Sequence, residues 1–135
     1  MASDESVQFV NPPTLPPSPG YTQVVIAPAG RTAHISGQVA LDTSGAIVGS
    51  GDFRAQARQV FENLKAALEA GGATFGDVIK ITVFVLDMAN LPALREIRDE
   101  YVNTERPPAS TAVQVSRLAR EEFLLEIEAV AALPA

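Results

Sequence analysis

DVIKITVFVLD, residues 77–87, reads as a β-strand with no wholly polar face. β-Branched and aromatic side chains favour the pleated backbone because they pack well on its surface. By period two, Ile79, Ile81, Val83 and Val85 fall on one side. Val78, Phe84 and Leu86 fall on the other, with Lys80 and Thr82. A strand apolar on both sides needs cover on both sides. In a chain of 135 residues the helices suffice for one face. A partner subunit is therefore expected on the other.

Upstream of this strand, Phe53, Ala57, Val60, Phe61, Leu64, Ala67 and Leu68 recur at three- and four-residue spacing. That stripe predicts an amphipathic helix over residues 52–70. Ser50 or Asp52 can cap its start, and Gly71–Gly72 stop it. Downstream, a second helix is expected to begin near residues 90–92, because proline is tolerated in a first turn. Its stripe is Leu91, Leu94, Ile97, Tyr101 and Val102, and NTERPPA breaks it. Two strands follow, at about residues 110–116 and 123–133.

Nearer the N-terminus, TQVVIAP and TAHISGQVAL flank AGR and predict a hairpin with a glycine turn. In its second strand His34, Ser36 and Gln38 share one face and Ala33, Ile35 and Gly37 the other. VNPPTLPPSPGY holds five of the ten prolines and is an extended lead-in, since proline lacks an N–H and fixes φ. Tyr21 at its end suggests that the lead-in is anchored on the domain. The expected order is β-β-α-β-α-β-β, an α+β fold with a mixed sheet and both helices on one face. It forms a single domain over residues 1–135, with 1–20 as the lead-in.

Composition narrows the function. The chain has no cysteine, which excludes disulfides and thiolate metal sites. Its formal net charge of −6, without a basic run, argues against nucleic acid and anionic membranes as partners. MASDESVQFV carries two acids and no basic segment, so it does not read as a signal peptide. No apolar run reaches the roughly 20 residues that span a bilayer. A soluble, cytoplasmic protein is expected.

Few residues offer chemistry. Leu124, Glu126, Glu128 and Val130 share a face of the last strand, which places two carboxylates roughly 7 Å apart. A carboxylate near an interior is costly unless paired or hydrogen-bonded, and enzymes use such placements for general acid–base work. The same spacing also fits an edge strand with both glutamates solvated. His34 is the only histidine and has no metal-ligand spacing around it. Gly45, Gly49 and Gly51 do not make a phosphate loop, and Ser110 has no histidine placed by sequence as its base.

GYTQVV, ISGQVALDTSG, QARQVFENLKAALEAGGATFGDVIKITVFVLDM and RPPASTAVQVSRL…LLEIEAVA occur in that order over about residues 9–131. Together they resemble the reactive intermediate deaminase family, the YjgF-like proteins. The resemblance implies a chorismate-mutase-like fold and a homotrimer whose sheets form a central barrel. It also implies a small-molecule cleft at each subunit boundary. The activity it implies is hydrolysis of 2-imino acids or their enamine tautomers to 2-oxo acids and ammonia, without cofactor or metal.

In the family motif Pro-Ala-Arg-Ser, the arginine grips the substrate carboxylate and a glutamate of the last strand lies by the water. The matching residues here are Ala109, Ser110 at the arginine position, and Glu126. Tyr21 and Gly37 match the lead-in tyrosine and the strand glycine, and Arg95 stands where the family often has asparagine. A serine hydroxyl replaces a bidentate cationic fork. Shifted specificity is therefore expected, with Glu126 catalytic and Tyr21, Gly37, Arg95, Ala109 and Ser110 binding the ligand. A cationic or neutral imine would suit an unbalanced Glu126. Arg95, Arg106 or a neighbouring subunit's arginine could restore the cation. The alternatives are a non-catalytic small-molecule-binding trimer and, from the family's association with RNA, an endoribonuclease or translation inhibitor.

Overall fold

The computed structural model describes residues 6–134. Half of the segment that carried the signal-peptide reading, residues 1–5, lies outside them. Six strands and two α-helices follow in order: β1 (Gln8–Val10), β2 (Val24–Ile26), β3 (Thr32–Gln38), α1 (Phe53–Ala70), β4 (Val78–Val85), α2 (Leu91–Arg98), β5 (Ala109–Gln114) and β6 (Leu125–Ala132). Four strands make the main sheet in the order β3-β6-β4-β5. All neighbours are antiparallel except β4 and β5, which run parallel through the crossover that contains α2.

The expected hairpin does not form. β2 pairs with β1 instead, with Val24 opposite Val10, and β3 pairs with β6. Residues 8–10 carry no proline, so this piece of the lead-in keeps the N–H groups that a ladder needs. β3 in turn lies beside the apolar β6, where Ile35 is buried opposite Ala129. The lead-in is anchored as Tyr21 suggested. The Thr22 backbone N–H donates to the Pro108 carbonyl at 3.2 Å, and its hydroxyl to the Pro107 carbonyl at 2.5 Å. The Arg106 guanidinium lies 4.5 Å over the Phe9 ring and donates to the Val7 carbonyl.

Helix α1 matches its expected span. The Asp52 side chain accepts from the Ala55 N–H as N-cap, and Gly71 closes the C-terminus. Its stripe Phe53, Ala57, Val60, Phe61, Leu64 and Leu68 is buried. α2 is shorter than its stripe predicts: Leu94 and Ile97 are buried within it, whereas Tyr101 and Val102 pack from the turn beyond. Both helices cover one sheet face, where Ile81, Val83 and Val85 of β4 meet Leu125, Ile127, Ala129 and Ala131 of β6. Val78 joins this core, contrary to its parity, because a register shift between Val78 and Lys80 turns the strand.

Gln56, fully buried, ties α1 to the start of β6. It donates to the Gly49 and Glu122 carbonyls and accepts from the Leu124 N–H. The opposite face of the sheet has no element of this chain over it among the described residues. It carries Lys80, Thr82 and Phe84 of β4, Glu126, Glu128 and Val130 of β6, and Thr111 and Val113 of β5. Val113 is 38% exposed.

Candidate functional site

A cavity of about 310 Å³ opens at the β5 edge of the sheet, on the helix-covered side. Its floor is Ile81 and Val83 of β4 with Ser110 and Ala112 of β5. Ser110 lies opposite Ile81 and Ala112 opposite Val83, so both β5 side chains point to the helices. Leu91, Leu94, Arg95 and Arg98 of α2 form one wall, and Pro19 and Tyr21 of the lead-in another. The two Thr22 bonds place that lead-in beside the entry to β5, one residue from Tyr21 and two from Ser110.

Three of the sequence-predicted residues, Tyr21, Arg95 and Ser110, thus line one cavity. Arg98 lines it as well and was not anticipated, although its i, i+3 spacing from Arg95 puts both on one helix face. The Arg98 guanidinium is paired with Asp99 at 2.9 Å, and its side chain is only 12% exposed. Ala109 begins β5 opposite Lys80 and does not line the cavity. Arg106 is engaged with Phe9 and Val7, away from it.

Glu126 and Gly37 form a second grouping on the open face. Glu126 lies opposite Phe84. A register shift between Ile35 and Gln38 sets Gln38 opposite Ile127, so Gln38 leaves the His34 face and Gly37 turns toward Glu126, against the simple alternation expected. A β-carbon on Gly37 would lie 1.8 Å from Glu126 Oε2 and 2.6 Å from Cδ. Only glycine admits the carboxylate in this position. Within one chain, then, Ser110 and Glu126 face opposite sides of the sheet. Glu128 is exposed opposite Thr82. His34 meets the Thr32 hydroxyl at 3.2 Å. Among the described residues no three metal-binding side chains converge, and no helix is long and apolar enough to cross a membrane.

The fold and these groupings define a small α+β subunit with a cavity between a helix and the edge of a mixed sheet. A family model described as Endoribonuclease L-PSP matches residues 13–133, and the chain belongs to that family, the YjgF-like reactive intermediate deaminases. It is 43% identical over 111 residues to a RutC family protein of Pyrococcus horikoshii, covering 82% of this chain and 85% of that one. It is 38% identical over 104 residues to the 2-iminobutanoate/2-iminopropanoate deaminase of Salmonella typhimurium, covering 76% and 80%. The crystal structure of YyfB, a Rid-family protein of Yersinia pestis, superposes with a TM-score of 0.82 at 37% identity, covering 94% of this chain and 98% of that one.

Proposed function

We propose that this chain is a cytoplasmic, cofactor-independent hydrolase of imines or enamines, acting as a homotrimer with a shifted substrate preference. The observation that carries the reading is the separation of Ser110 and Glu126 onto opposite faces of one sheet. A single chain cannot bring them to one ligand. Two copies can, if the cavity edge of one meets the Gly37–Glu126 corner of the next. The uncovered face that presents Phe84, Val113 and Val130 supports such an assembly, because it leaves apolar side chains for another copy to cover.

In this reading a small-molecule imine sits over Ser110 with Tyr21 and Arg95 beside it, and the backbone near Gly37 and Ala109 adds polar contacts. Glu126, which has no hydrogen-bond partner among the described residues, orients a water and takes its proton as the oxygen attacks the imine carbon. From the protonated imine this gives a neutral carbinolamine; its nitrogen takes that proton back from Glu126 and leaves as ammonia, while the hydroxyl gives its proton to the same carboxylate as the carbonyl forms. The acid and base are the same carboxylate, so no other titrating group is required. The deaminase name of the Salmonella relative supports the reaction class, and Ser110 at the arginine position supports the shift in specificity.

The test is ammonia release, above the spontaneous rate, from imines generated in situ. Glu126→Gln is expected to lower kcat about a hundredfold or more with the fold intact. Parental turnover in that variant would remove the role. Serine in place of the anchor also favours a second reading, a trimer that binds small molecules without turnover, which equilibrium binding with no ammonia release would establish. The endoribonuclease named in the family description suits this chain less well, because a net charge of −6 repels a polyanion.

A further inference from the structure

The geometry points to Arg95 as the anionic-group anchor of the helix-side cavity, which makes a small monoanion, not a neutral or cationic imine, its ligand. This rests on the reading above that the cavity is the ligand site, and it specifies the charge of what enters.

Two guanidinium groups line the cavity, and no carboxylate does. Every acid on α2 or in the turn after it is already engaged. Glu96 pairs with Arg54 at 2.6 Å, Glu100 with Arg58 at 2.6 Å, and Asp99 with Arg98 at 2.9 Å. Arg98 is therefore neutralised on the spot and largely buried. The Arg95 guanidinium, one turn earlier, has no hydrogen bond or ion pair among the described residues, and the residue is exposed at the cavity. Within the chain's own lining of the cavity, one unit of positive charge is left over.

The surroundings make that charge count. Ile81, Val83, Leu91 and Leu94 supply apolar walls, and an ion pair formed against low-dielectric walls is stronger than one in open water. A guanidinium also offers the planar donor fork that fits a carboxylate. The α2 backbone cannot substitute for it, since Arg95 and Arg98 lie in the last turn, at the negative end of the helix dipole. The volume of about 310 Å³ is at the small end for ligand pockets, which suits a short-chain acid. Glu126 does not cancel the charge within the chain, because it lies on the other face. Thus a cation lost from the strand at position 110 is offset by one presented from the helix, and the acid group of the ligand is held from the opposite wall.

Titration calorimetry on the full chain tests this with two probes that differ only in charge, 2-oxobutanoate and its uncharged amide. The acid is expected to bind at least tenfold more tightly, with a preference that shrinks as salt is raised. Arg95→Gln should abolish the preference without changing the melting temperature, since the side chain holds nothing in the fold. Arg95→Lys should keep part of it. Equal binding of acid and amide, no binding of either, or a preference that survives Arg95→Gln would overturn the assignment. Ammonia release is read separately. Charge preference without ammonia release sinks the hydrolase and leaves the anchor standing, whereas ammonia release without charge preference does the reverse.

Discussion

The two faces of the main sheet are built from the same strands and have opposite fates. On β6, Leu125, Ile127, Ala129 and Ala131 point to the helices and are at most 4% exposed. Their neighbours Glu126, Glu128 and Val130 point the other way, with no element of the chain over them among the described residues. One face is closed by α1 and α2 and holds the fold together. The other keeps charged and apolar side chains side by side, so the free energy of covering it is available for association. The candidate chemistry is split along the same line: a cavity with two guanidiniums on the closed side, and a carboxylate over a glycine on the open side.

Replacements on matched positions should show the asymmetry. Leu125→Ala, on the closed face, is expected to cost about 2–5 kcal/mol of stability through lost burial and a residual cavity. Glu128→Ala, three positions on and facing out, should change stability by less than about 0.5 kcal/mol. Denaturant unfolding of the two variants checks this, and equal costs would mean that the open face also belongs to the core of the subunit.

Gly37→Ala sharpens the comparison at the site. The new methyl group must displace the Glu126 carboxylate, so ammonia release should fall about a hundredfold, while the unfolding midpoint moves little because only a flexible side chain has to give way. A large loss of stability with unchanged turnover would show that the pair is structural.

Phe84→Asp tests the open face as an association surface. The charge should reduce the sedimenting mass toward that of one chain, with the far-UV spectrum retained. Unchanged mass would place the interface elsewhere.

The smallest expected effect lies on the outer side of the closed layer. The Tyr101 hydroxyl donates to Glu62 at 2.7 Å and its ring stacks on Phe61. Burial, and then the hydrogen bond to Glu62, push its pKa up to about 12. A tyrosine whose folded pKa is raised contributes stability that is complete below the unfolded value of about 10. That stability is lost as pH rises through about 12. Tyr101→Phe should flatten the decline in stability over that window, measured as melting temperature against pH. An unchanged slope would assign it to other groups.

Much of this was legible beforehand because the signals are local. The stripe of α1 is set by helical period, and its ends by Asp52, whose carboxylate accepts from the Ala55 N–H, and Gly71, which stops the turn. The reading of β4 as apolar on both sides was less exact: with Val78 turned into the core, its open side is Lys80, Thr82 and Phe84. Tyr21, Arg95 and Ser110, far apart in the chain, were grouped by family resemblance and indeed line one cavity. Arg98 was missed because a charged residue at i+3 of a surface helix ordinarily signals solvent, and only its burial beside Asp99 says otherwise.

By itself, then, the sequence determined both helices, the strands of the main sheet, the apolar stripe of α1 and the family, since each depends on spacing along the chain. The tertiary structure alone decided which strands pair, and so exchanged the expected β2–β3 hairpin for pairings with β1 and β6. It also decided that two register shifts turn Val78 into the core and Gly37 under Glu126, and that Ser110 and Glu126 look away from each other. A slip of one residue in a ladder reverses every side chain beyond it, and ladder register is settled by contacts between distant segments, which no period within a single strand records.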